Sequence, residues 1–198
     1  AGEYNGALGG YNSFDKVMIS FFNSVTARTA GFSTVDITMF SQGTLLGIMI
    51  LMFIGASPGS TGGGIKTSTF GVLMVTFWAK IRSFENVEVY GRTIPKVNML
   101  KAVSVIVLSF IILNLFFYAM LISETGQYFI AVLFETISAF GTVGLSLGLT
   151  EYLSESGKII IIALMLIGRV GPLTIAFALA KPMPKANYAY PEESVLIA

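Results

Sequence analysis

Long apolar runs, separated by short polar stretches, dominate the hydrophobic pattern of this chain. Residues 102–122 form the clearest run, without a single charged side chain. A helix of that length covers about 30 Å, the thickness of the hydrocarbon core of a bilayer. Residues 158–180 form a second run, which carries Arg169 beside a Val-Gly-Pro sequence. The pattern therefore predicts two helices that cross a membrane.

A third apolar stretch, residues 41–80, is too long to be one span. From Leu45 to Lys80 a single helix would extend about 54 Å, nearly twice the hydrocarbon core. The glycine-rich sequence GASPGSTGGGIKTST, which begins at Gly55, divides the stretch. Because lipid offers no hydrogen bonds to open amides, such a loop has to be buried in protein or line a wet cavity. We predict a broken helix whose halves are joined within the membrane.

Lysine and arginine side chains indicate the orientation. They concentrate in the connection before residue 102 and in the C-terminal tail, whereas residues 123–157 carry glutamates and no basic side chain. Since positive residues gather on the cytoplasmic side, residues 81–101 are predicted to form a cytoplasmic loop and residues 181–198 a cytoplasmic tail. Residues 87–95 weakly suggest a short hairpin within that loop. The basic residues are Lys80, Arg82, Arg92, Lys96, Lys101, Lys181 and Lys185.

Two further segments resemble each other. FNSVTARTAGFS begins at Phe22 and FETISAFGTVGLS begins at Phe134, and both place aromatic, hydroxyl and T-x-G-x positions in the same order. Each segment is too short to cross a membrane and lies on the outer side. We predict two re-entrant loops, residues 14–36 and 127–147, in which a short helix enters from outside and an extended T-x-G-x segment turns back. The chain then contains one and three-quarter copies of a helix, re-entrant loop, helix unit.

This arrangement has a chemical use, because an ion filter replaces the hydration shell of K+ with backbone carbonyl oxygens. Turning successive carbonyls to one side requires positive φ, which glycine tolerates, and Gly31 and Gly144 stand where it is needed. A single T-x-G-x sequence is as well explained by a turn, but two matched copies favour a filter with outward-pointing, bracing side chains. The predicted filter residues, which would hold K+ by their backbone carbonyls, are Thr29, Ala30, Gly31, Phe32, Thr142, Val143, Gly144 and Leu145.

The composition of the chain excludes several classes of function. Hydrophobic residues make up 54% of the chain and charged residues only 12%, whereas soluble domains carry roughly 25% charged residues. Cysteine and histidine are absent from the sequence, which excludes disulfides, thiol chemistry, imidazole metal sites and a Ser-His-Asp enzyme. The net charge of +1 gives no field that would attract nucleic acid. Lipid is therefore the expected surrounding.

Four ordered motifs, SVTARTAGFSTVD, GASPGSTGGGIKTSTF, SAFGTVGLS and IGRVGPLT, together resemble the Ktr/Trk/HKT superfamily of potassium transporters. The glycine-rich motif is most similar to the membrane subunit of bacterial Ktr systems. The resemblance implies an all-α, potassium-channel-like integral membrane fold in which four helix, pore loop, helix units surround one pore. Residues 1–80 match the third unit without its first helix, and residues 102–180 match the fourth. The remaining half of the same polypeptide would complete the pore.

The resemblance also implies a function and partners. The expected function is K+ uptake across the bacterial inner membrane by a homodimer that docks on a cytoplasmic ring of regulatory subunits. No cofactor is expected in this chain, and nucleotide is expected only on the regulatory partner. Na+ dependence stays open. Na+ conduction is the alternative within the superfamily, although glycine in both visible filters resembles the potassium-selective pattern.

The glycine-rich sequence almost matches a phosphate-binding loop, but Ile65 separates Gly64 from Lys66, and the pattern requires them to be adjacent. No acidic magnesium partner is evident, so a nucleotide hydrolase is a remote alternative and the chain is not expected to be an enzyme. A flexible kink, or a scaffold whose glycines let helices pack closely, is the other alternative. The resemblance favours an intramembrane gate beneath the filter, formed by Gly59, Ser60, Thr61, Gly62, Gly63, Gly64, Lys66 and Arg169.

Four charged side chains near the predicted pore need an explanation. Arg169 lies too deep in its span to reach the interface, so it is expected to face a partner or water, and the resemblance implies that the carbonyls of the gate and the pore are its neighbours. Arg28 and Glu135 lie on the re-entrant segments, where each either braces a filter or is simply solvated. Asp36 follows the first filter and either attracts cations at its mouth or caps a helix.

Overall fold

The structure, a computed structural model, describes residues 7–84 and 86–174. Helices dominate this part of the chain, and one short hairpin lies between the third and fourth helix. Short 3-10 turns at Ile37–Met39 and Leu149–Tyr152 follow the first and fifth helices. The elements in order are α1 (Ser13–Thr26), α2 (Gln42–Phe53), α3 (Thr67–Ile81), β1 (Glu88–Val89), β2 (Arg92–Thr93), α4 (Lys96–Ser123), α5 (Phe129–Gly141) and α6 (Glu155–Val170).

Polar side chains begin three of the helices. Asn12 accepts a hydrogen bond from the backbone N–H of Asp15 at 2.8 Å, and Ser41 and Ser154 cap α2 and α6 in the same way. These side chains satisfy backbone donors that the first turn of a helix leaves open. The N-terminal boundaries of α1, α2 and α6 are therefore encoded locally.

Helix α4 is the only helix in the described ranges that is long and apolar enough to cross a membrane. Its 28 residues correspond to a length of about 42 Å. The helix contains the predicted span 102–122 and begins six residues earlier, because Lys96 and Lys101 belong to it and not to the connection 81–101. Long basic side chains can extend from a helix end to the interface, so apolarity alone places this boundary too late.

Helix α6 starts at Glu155 and ends at Val170, whereas the sequence predicted one helix over residues 158–180. Gly171 has φ +94°, a conformation that ends the α-helical path, and Pro172 cannot donate a backbone hydrogen bond. The predicted continuous helix is therefore interrupted at this pair. The end of that prediction and the predicted tail 181–198 lie outside the described residues.

The long apolar stretch is divided, with α2 and α3 joined by residues 54–66, which we call the glycine loop. Both ends of the loop meet, because Ile54 and Ile65 form a parallel β-bridge. Gly55 donates a backbone hydrogen bond to Ile65 at 2.9 Å, and Thr67 donates to Ala56 at 3.2 Å. The loop thus leaves α2 and returns to start α3 at nearly the same place.

Helix α5 lies at the centre of the described structure and contacts α2, α4 and α6. Its Phe134 and Phe140 side chains are fully buried. Phe140 stacks on Phe53 of α2 with ring centroids 5.9 Å apart. Two apolar clusters flank α5, one shared with α2 and one shared with α4 and α6. A helix too short to cross a membrane is therefore the best-packed element.

The hairpin expected in residues 87–95 is confirmed. Glu88 pairs with Thr93 and Val89 pairs with Arg92. Tyr90 and Gly91 form the turn with φ +48° and +73°, and two successive positive φ values are typical of a type I′ turn.

Candidate functional site

Two short stretches after α1 and α5 have positive φ angles at the same two positions. We call residues 29–32 the first T-x-G-x segment and residues 142–145 the second. In the first, Thr29 has φ +70° and Gly31 has φ +75°; in the second, Thr142 has φ +51° and Gly144 has φ +92°. The positive φ expected at both glycines is confirmed. Threonine is rarely found there because it is β-branched, so its positive φ in both segments was not predictable from the residue type.

The two segments lie against each other. A Cβ atom added to Gly31 would overlap the carbonyl oxygen of Val143 and lie 3.5 Å from the Cα of Gly144. A Cβ added to Gly144 would lie 3.7 Å from the Cα of Gly31. The fold therefore brings together the backbones of two sequences that are more than a hundred residues apart. Only glycine at position 31 permits this approach.

The first segment is held by a threonine of α1. The hydroxyl of Thr26 donates to the carbonyl of Phe32 at 2.6 Å and accepts from the N–H of Phe32 at 2.9 Å. The backbone carbonyl of Thr26 accepts from the N–H groups of Ala30 and Gly31. Because the Thr26 side chain is 2% exposed, water does not compete strongly for these hydrogen bonds.

The second segment is held at both ends by α5. At its start, Thr142 donates to the carbonyl of Ala139 and Val143 donates to the carbonyl of Ser138, each at 3.0 Å. Just after its end, the hydroxyl of Ser146 donates to the carboxylate of Glu135 at 2.8 Å. The chain therefore reverses at Gly141 and runs back along the helix that precedes it.

The glycine loop covers the threonine end of both segments. Gly63 donates its N–H to the hydroxyl of Thr142 at 3.0 Å. A Cβ on Gly63 would lie 2.5 Å from that hydroxyl, and a Cβ on Gly62 would lie 2.6 Å from the hydroxyl of Thr29. Three consecutive glycines therefore serve close packing here, in addition to any freedom of movement they give the loop.

The loop has a buried part and an exposed part. Residues 62–65 are buried, whereas residues 57–61 are exposed. The Lys66 ammonium donates to the carbonyls of Gly62 and Ser60, the latter at 3.3 Å. Gly64 donates to the carbonyl of Gly168 on α6 at 3.3 Å. Of the predicted gate residues, Gly62 and Gly63 lie against the two segments and Gly64 lies against Gly141 and the end of α2, while Gly59, Ser60 and Thr61 are exposed.

Arg169 lies near the loop, as expected, but does not bind its carbonyls. It lines a cavity of about 180 Å³ together with Gly62, Gly64 and Lys66. Within the described ranges, no hydrogen bond joins Arg169 to the loop. Arg169 is exposed. Lys66 makes the carbonyl contacts, because it immediately precedes α3 and its ammonium reaches back to the loop. Two positive charges therefore lie around one cavity below the T-x-G-x segments.

The other three charged candidates differ in their exposure and in their hydrogen bonds. Arg28 is exposed, which agrees with a solvated charge. Glu135 is 5% exposed and hydrogen-bonded, which agrees with a brace. Asp36 caps the 3-10 turn by accepting from the Thr38 backbone N–H at 2.9 Å and from its hydroxyl at 2.7 Å. These hydrogen bonds from Thr38, the side-chain one first, lower the pKa of Asp36 below its usual value, so the carboxylate stays charged.

Some expectations about bracing side chains were wrong, and some bracing residues were missed. Leu145 is buried as expected, but Phe32 is 71% exposed, because nothing among the described residues packs over that side of the first segment. The sequence reasoning missed Thr26, although the repeat places a hydroxyl residue at this position in both copies. Gly168 was not predicted either, although a Cβ added there would overlap the carbonyl oxygen of Phe140.

Comparisons with known proteins identify the family and the overall fold of this chain. A family model described as TrkH, a cation transport protein, matches residues 3–190. The chain is 46% identical to the Ktr system potassium uptake protein B of Vibrio alginolyticus over 189 residues, covering 96% of the chain and 41% of that protein. It is 43% identical to the protein of the same name from Bacillus subtilis, covering 98% of the chain and 43% of that protein.

Two further matches bear on selectivity and on fold. The chain is 42% identical to the potassium/sodium uptake protein NtpJ of Enterococcus hirae, covering 92% of the chain and 42% of that protein. Its fold is similar to the crystal structure of the potassium transporter TrkH from Vibrio parahaemolyticus, with a TM-score of 0.75, 19% identity, and coverage of 88% of this chain and 39% of that one. The chain thus spans about two-fifths of the length of the relatives it matches.

Proposed function

This chain belongs to the TrkH family of cation transport proteins, and from that premise we propose that it supplies half of the wall of a K+ uptake pore in the cell membrane. The two T-x-G-x segments are re-entrant filter strands, and their backbone carbonyls coordinate K+ in place of water. The other half of the wall comes from two equivalent units in the same polypeptide. The chain carries no catalytic chemistry in this account.

The observation that carries this proposal is the meeting of the two segments. Gly31 touches Val143 and Gly144 across the repeat, and both segments have positive φ at the same two positions. A turn would explain either segment alone. Repeated, unusual backbone conformations that meet side by side are better explained by a shared ligand, and the backbone carbonyl oxygens of both segments are groups that can coordinate K+.

The glycine loop is the gate of this pore. Gly62 and Gly63 lie against Thr29 and Thr142, at the end of the segments nearest the cytoplasm in the orientation deduced from the basic residues. A loop in that position closes the path from the filter to the cell interior. Lys66 holds the closed loop through two carbonyls, and Arg169 adds a second positive charge that raises the barrier to cations.

The family also supports a proposal about the assembly. Two of the similar proteins are named Ktr system potassium uptake protein B. We extend this to a homodimer in the bacterial inner membrane that docks on a cytoplasmic, nucleotide-binding regulatory ring. Helix α4 and the other apolar helix faces contact lipid, and K+ is the transported ion.

A second candidate is transport of Na+ as well as K+. The observation that favours it is the 42% identity to a potassium/sodium uptake protein. Glycine at positions 31 and 144 favours K+ over Na+, since both glycines have the positive φ that turning successive carbonyls to one side requires. K+ transport is therefore the first choice, and Na+ dependence is a question for the same experiment.

The test is ion uptake by the complete transporter in vesicles, with K+ and Na+ offered separately and together. We expect saturable K+ uptake that exceeds Na+ uptake at equal concentrations. Equal uptake of both ions would favour the second candidate. Absence of uptake of either ion by correctly assembled protein would contradict the proposed function.

The gate has its own test in Gly62→Ala. The added methyl group would lie 2.6 Å from both the Thr29 hydroxyl and the Ala56 Cβ, so we expect it to push the loop away from the segments and raise K+ flux. Gly43→Ala is the matched control, because a Cβ there meets nothing within 4 Å. Unchanged or lower flux in folded Gly62→Ala would count against a gate.

A further inference from the structure

Glu135 is a buried carboxylate that the proposed pore does not otherwise use. It lies on α5 and is 5% exposed, yet no lysine or arginine of the described residues forms an ion pair with it. A charged group in such a place requires hydrogen-bond donors. The structure supplies them from the two residues Ser146 and Thr150, which follow the second T-x-G-x segment.

The hydrogen bonds around Glu135 have a fixed direction. Ser146 donates to Oε2 at 2.8 Å and Thr150 donates to Oε1. The Ser146 hydroxyl in turn accepts from the N–H of Gly148 at 3.0 Å. Both carboxylate oxygens therefore act as acceptors, and the donors all come from the chain that leaves the segment. Charge-assisted hydrogen bonds of this kind are stronger than neutral ones.

From this geometry we infer that Glu135 is a positioning residue that fixes the outer end of the second T-x-G-x segment and thereby the K+/Na+ selectivity of the pore; the inference rests on the proposed function. Glu135 precedes Gly141 by six residues, or about 9 Å along α5. Ser138 and Ala139 hold the start of the segment, and Glu135 holds the residue after its end. The carbonyls between these anchors cannot shift along the pore without breaking one of them.

The equivalent position in the first copy does not have this anchor. Asn23 stands there in the repeat, and its side-chain N–H donates to the carbonyl of Ile19 at 2.9 Å. Its Oδ1 is buried and has no hydrogen-bond partner among the described residues. Ser33, the counterpart of Ser146, donates instead to the carbonyl of Val35. The carboxylate brace therefore belongs to the second segment and is not a general feature of the repeat.

The experiment compares Glu135→Gln with Glu124→Gln in the complete transporter. Glu124 is also buried and accepts from a serine, Ser154, but it joins the end of α4 to the start of α6 and shares no hydrogen bond with either segment in the described part of the chain. An amide has one acceptor oxygen in place of the two carboxylate oxygens that accept from Ser146 and Thr150. Glu135→Gln should therefore lower the K+/Na+ uptake ratio by about fivefold, which corresponds to the loss of one hydrogen bond. Glu124→Gln should lower the melting temperature and leave the ratio unchanged.

Two milder variants cover the case in which Glu135→Gln does not fold. Ser146→Ala and Thr150→Val each remove one donor, and each should lower the ratio by a smaller factor. If Glu135→Gln does fold, it can be combined with Ser146→Ala. The double variant should lower the K+/Na+ uptake ratio by less than the two single effects combined, because both changes remove the same hydrogen bond.

The outcomes separate this inference from the proposed function. If the wild-type protein does not take up K+ in preference to Na+, the proposed function fails, whatever Glu135 does. If the wild type is selective and the ratio stays the same in every folded variant of Glu135, Ser146 and Thr150, the positioning role is overturned and the pore proposal stands. An equal loss of ratio in Glu124→Gln would also overturn it, since the effect would then be general destabilisation.

Discussion

The two T-x-G-x segments share positive φ angles at two matching positions but are held in different ways. In the first, the Thr26 hydroxyl binds both the N–H and the carbonyl of Phe32. In the second, Glu135 of α5 binds Ser146 beyond the segment. The sequence repeat therefore encodes the backbone turn, whereas the support of each turn depends on residues that differ between the copies.

The surroundings of the two copies differ as much as their anchors. Most of α5 from Phe134 to Gly141 is buried, because the helix contacts α2, α4 and α6. By contrast, α1 exposes Phe14 and Phe21 by 70% and 67%. The second segment thus rests on a packed helix, while the first depends on Thr26 and on the second segment itself. We therefore expect changes in the first copy to have the larger effects.

The largest effect is expected from the two glycines at equivalent positions. In Gly31→Ser the new Cβ would overlap the carbonyl oxygen of Val143, whereas in Gly144→Ser the nearest atom outside the flanking residues is 3.7 Å away. Both variants add the strain of positive φ, roughly 1 kcal/mol, but only Gly31→Ser displaces the other segment. K+ and Na+ uptake should show weaker selectivity in both variants and the greater loss in Gly31→Ser.

Two results would break this comparison. Equal losses in the two variants would mean that positive φ alone matters and that the contact between the segments has no functional weight. A wild-type uptake ratio in both variants would show that neither segment coordinates the ion. Gly43→Ala serves as the control for a glycine that is free to accept a side chain.

A smaller effect is expected from Thr26→Val, which removes the anchor of the first segment. The loss of its hydrogen bonds to Phe32 should lower the free energy of unfolding by about 1–3 kcal/mol and weaken K+ selectivity. Thr136→Val is the matched control, because that buried hydroxyl bonds only the Val132 carbonyl of its own helix, at 2.7 Å.

Thermal unfolding and ion uptake check both threonine variants. Thr26→Ser keeps the hydroxyl and should restore most of the selectivity. If Thr26→Val and Thr136→Val lowered the uptake ratio equally, the hydroxyl at position 26 would have no special role in the first segment.

The broad architecture was readable from sequence because it follows from length, apolarity and backbone chemistry. Residues 41–80 exceed one span, which required the break that the structure places at residues 54–66. Gly31 and Gly144 were chosen for their tolerance of positive φ, and both have it. The length of an apolar stretch and the tolerance of glycine for positive φ do not depend on contacts with distant residues.

The details of the site depend on contacts between distant residues, which one sequence does not encode visibly. Arg169 was expected to bind the loop carbonyls because of its depth, but Lys66 reaches them from the start of α3. The glycine-rich sequence was expected to form a gate or a flexible kink, but its contacts, in which Gly62 and Gly63 pack against Thr29 and Thr142, could not be predicted. The early start of α4 at Lys96 shows the same limit, since helix ends depend on neighbours as well as on apolarity.

The most direct test of the central claim is to locate the ion. Crystals of the complete transporter grown with Tl+ in place of K+ would show the cation by its anomalous scattering. We predict density beside the backbone carbonyls of residues 29–31 and 142–144, on the side where the two segments meet, and its loss in Gly31→Ser. Strong Tl+ density elsewhere along the pore, with none between the two segments in protein that transports K+, would contradict the account.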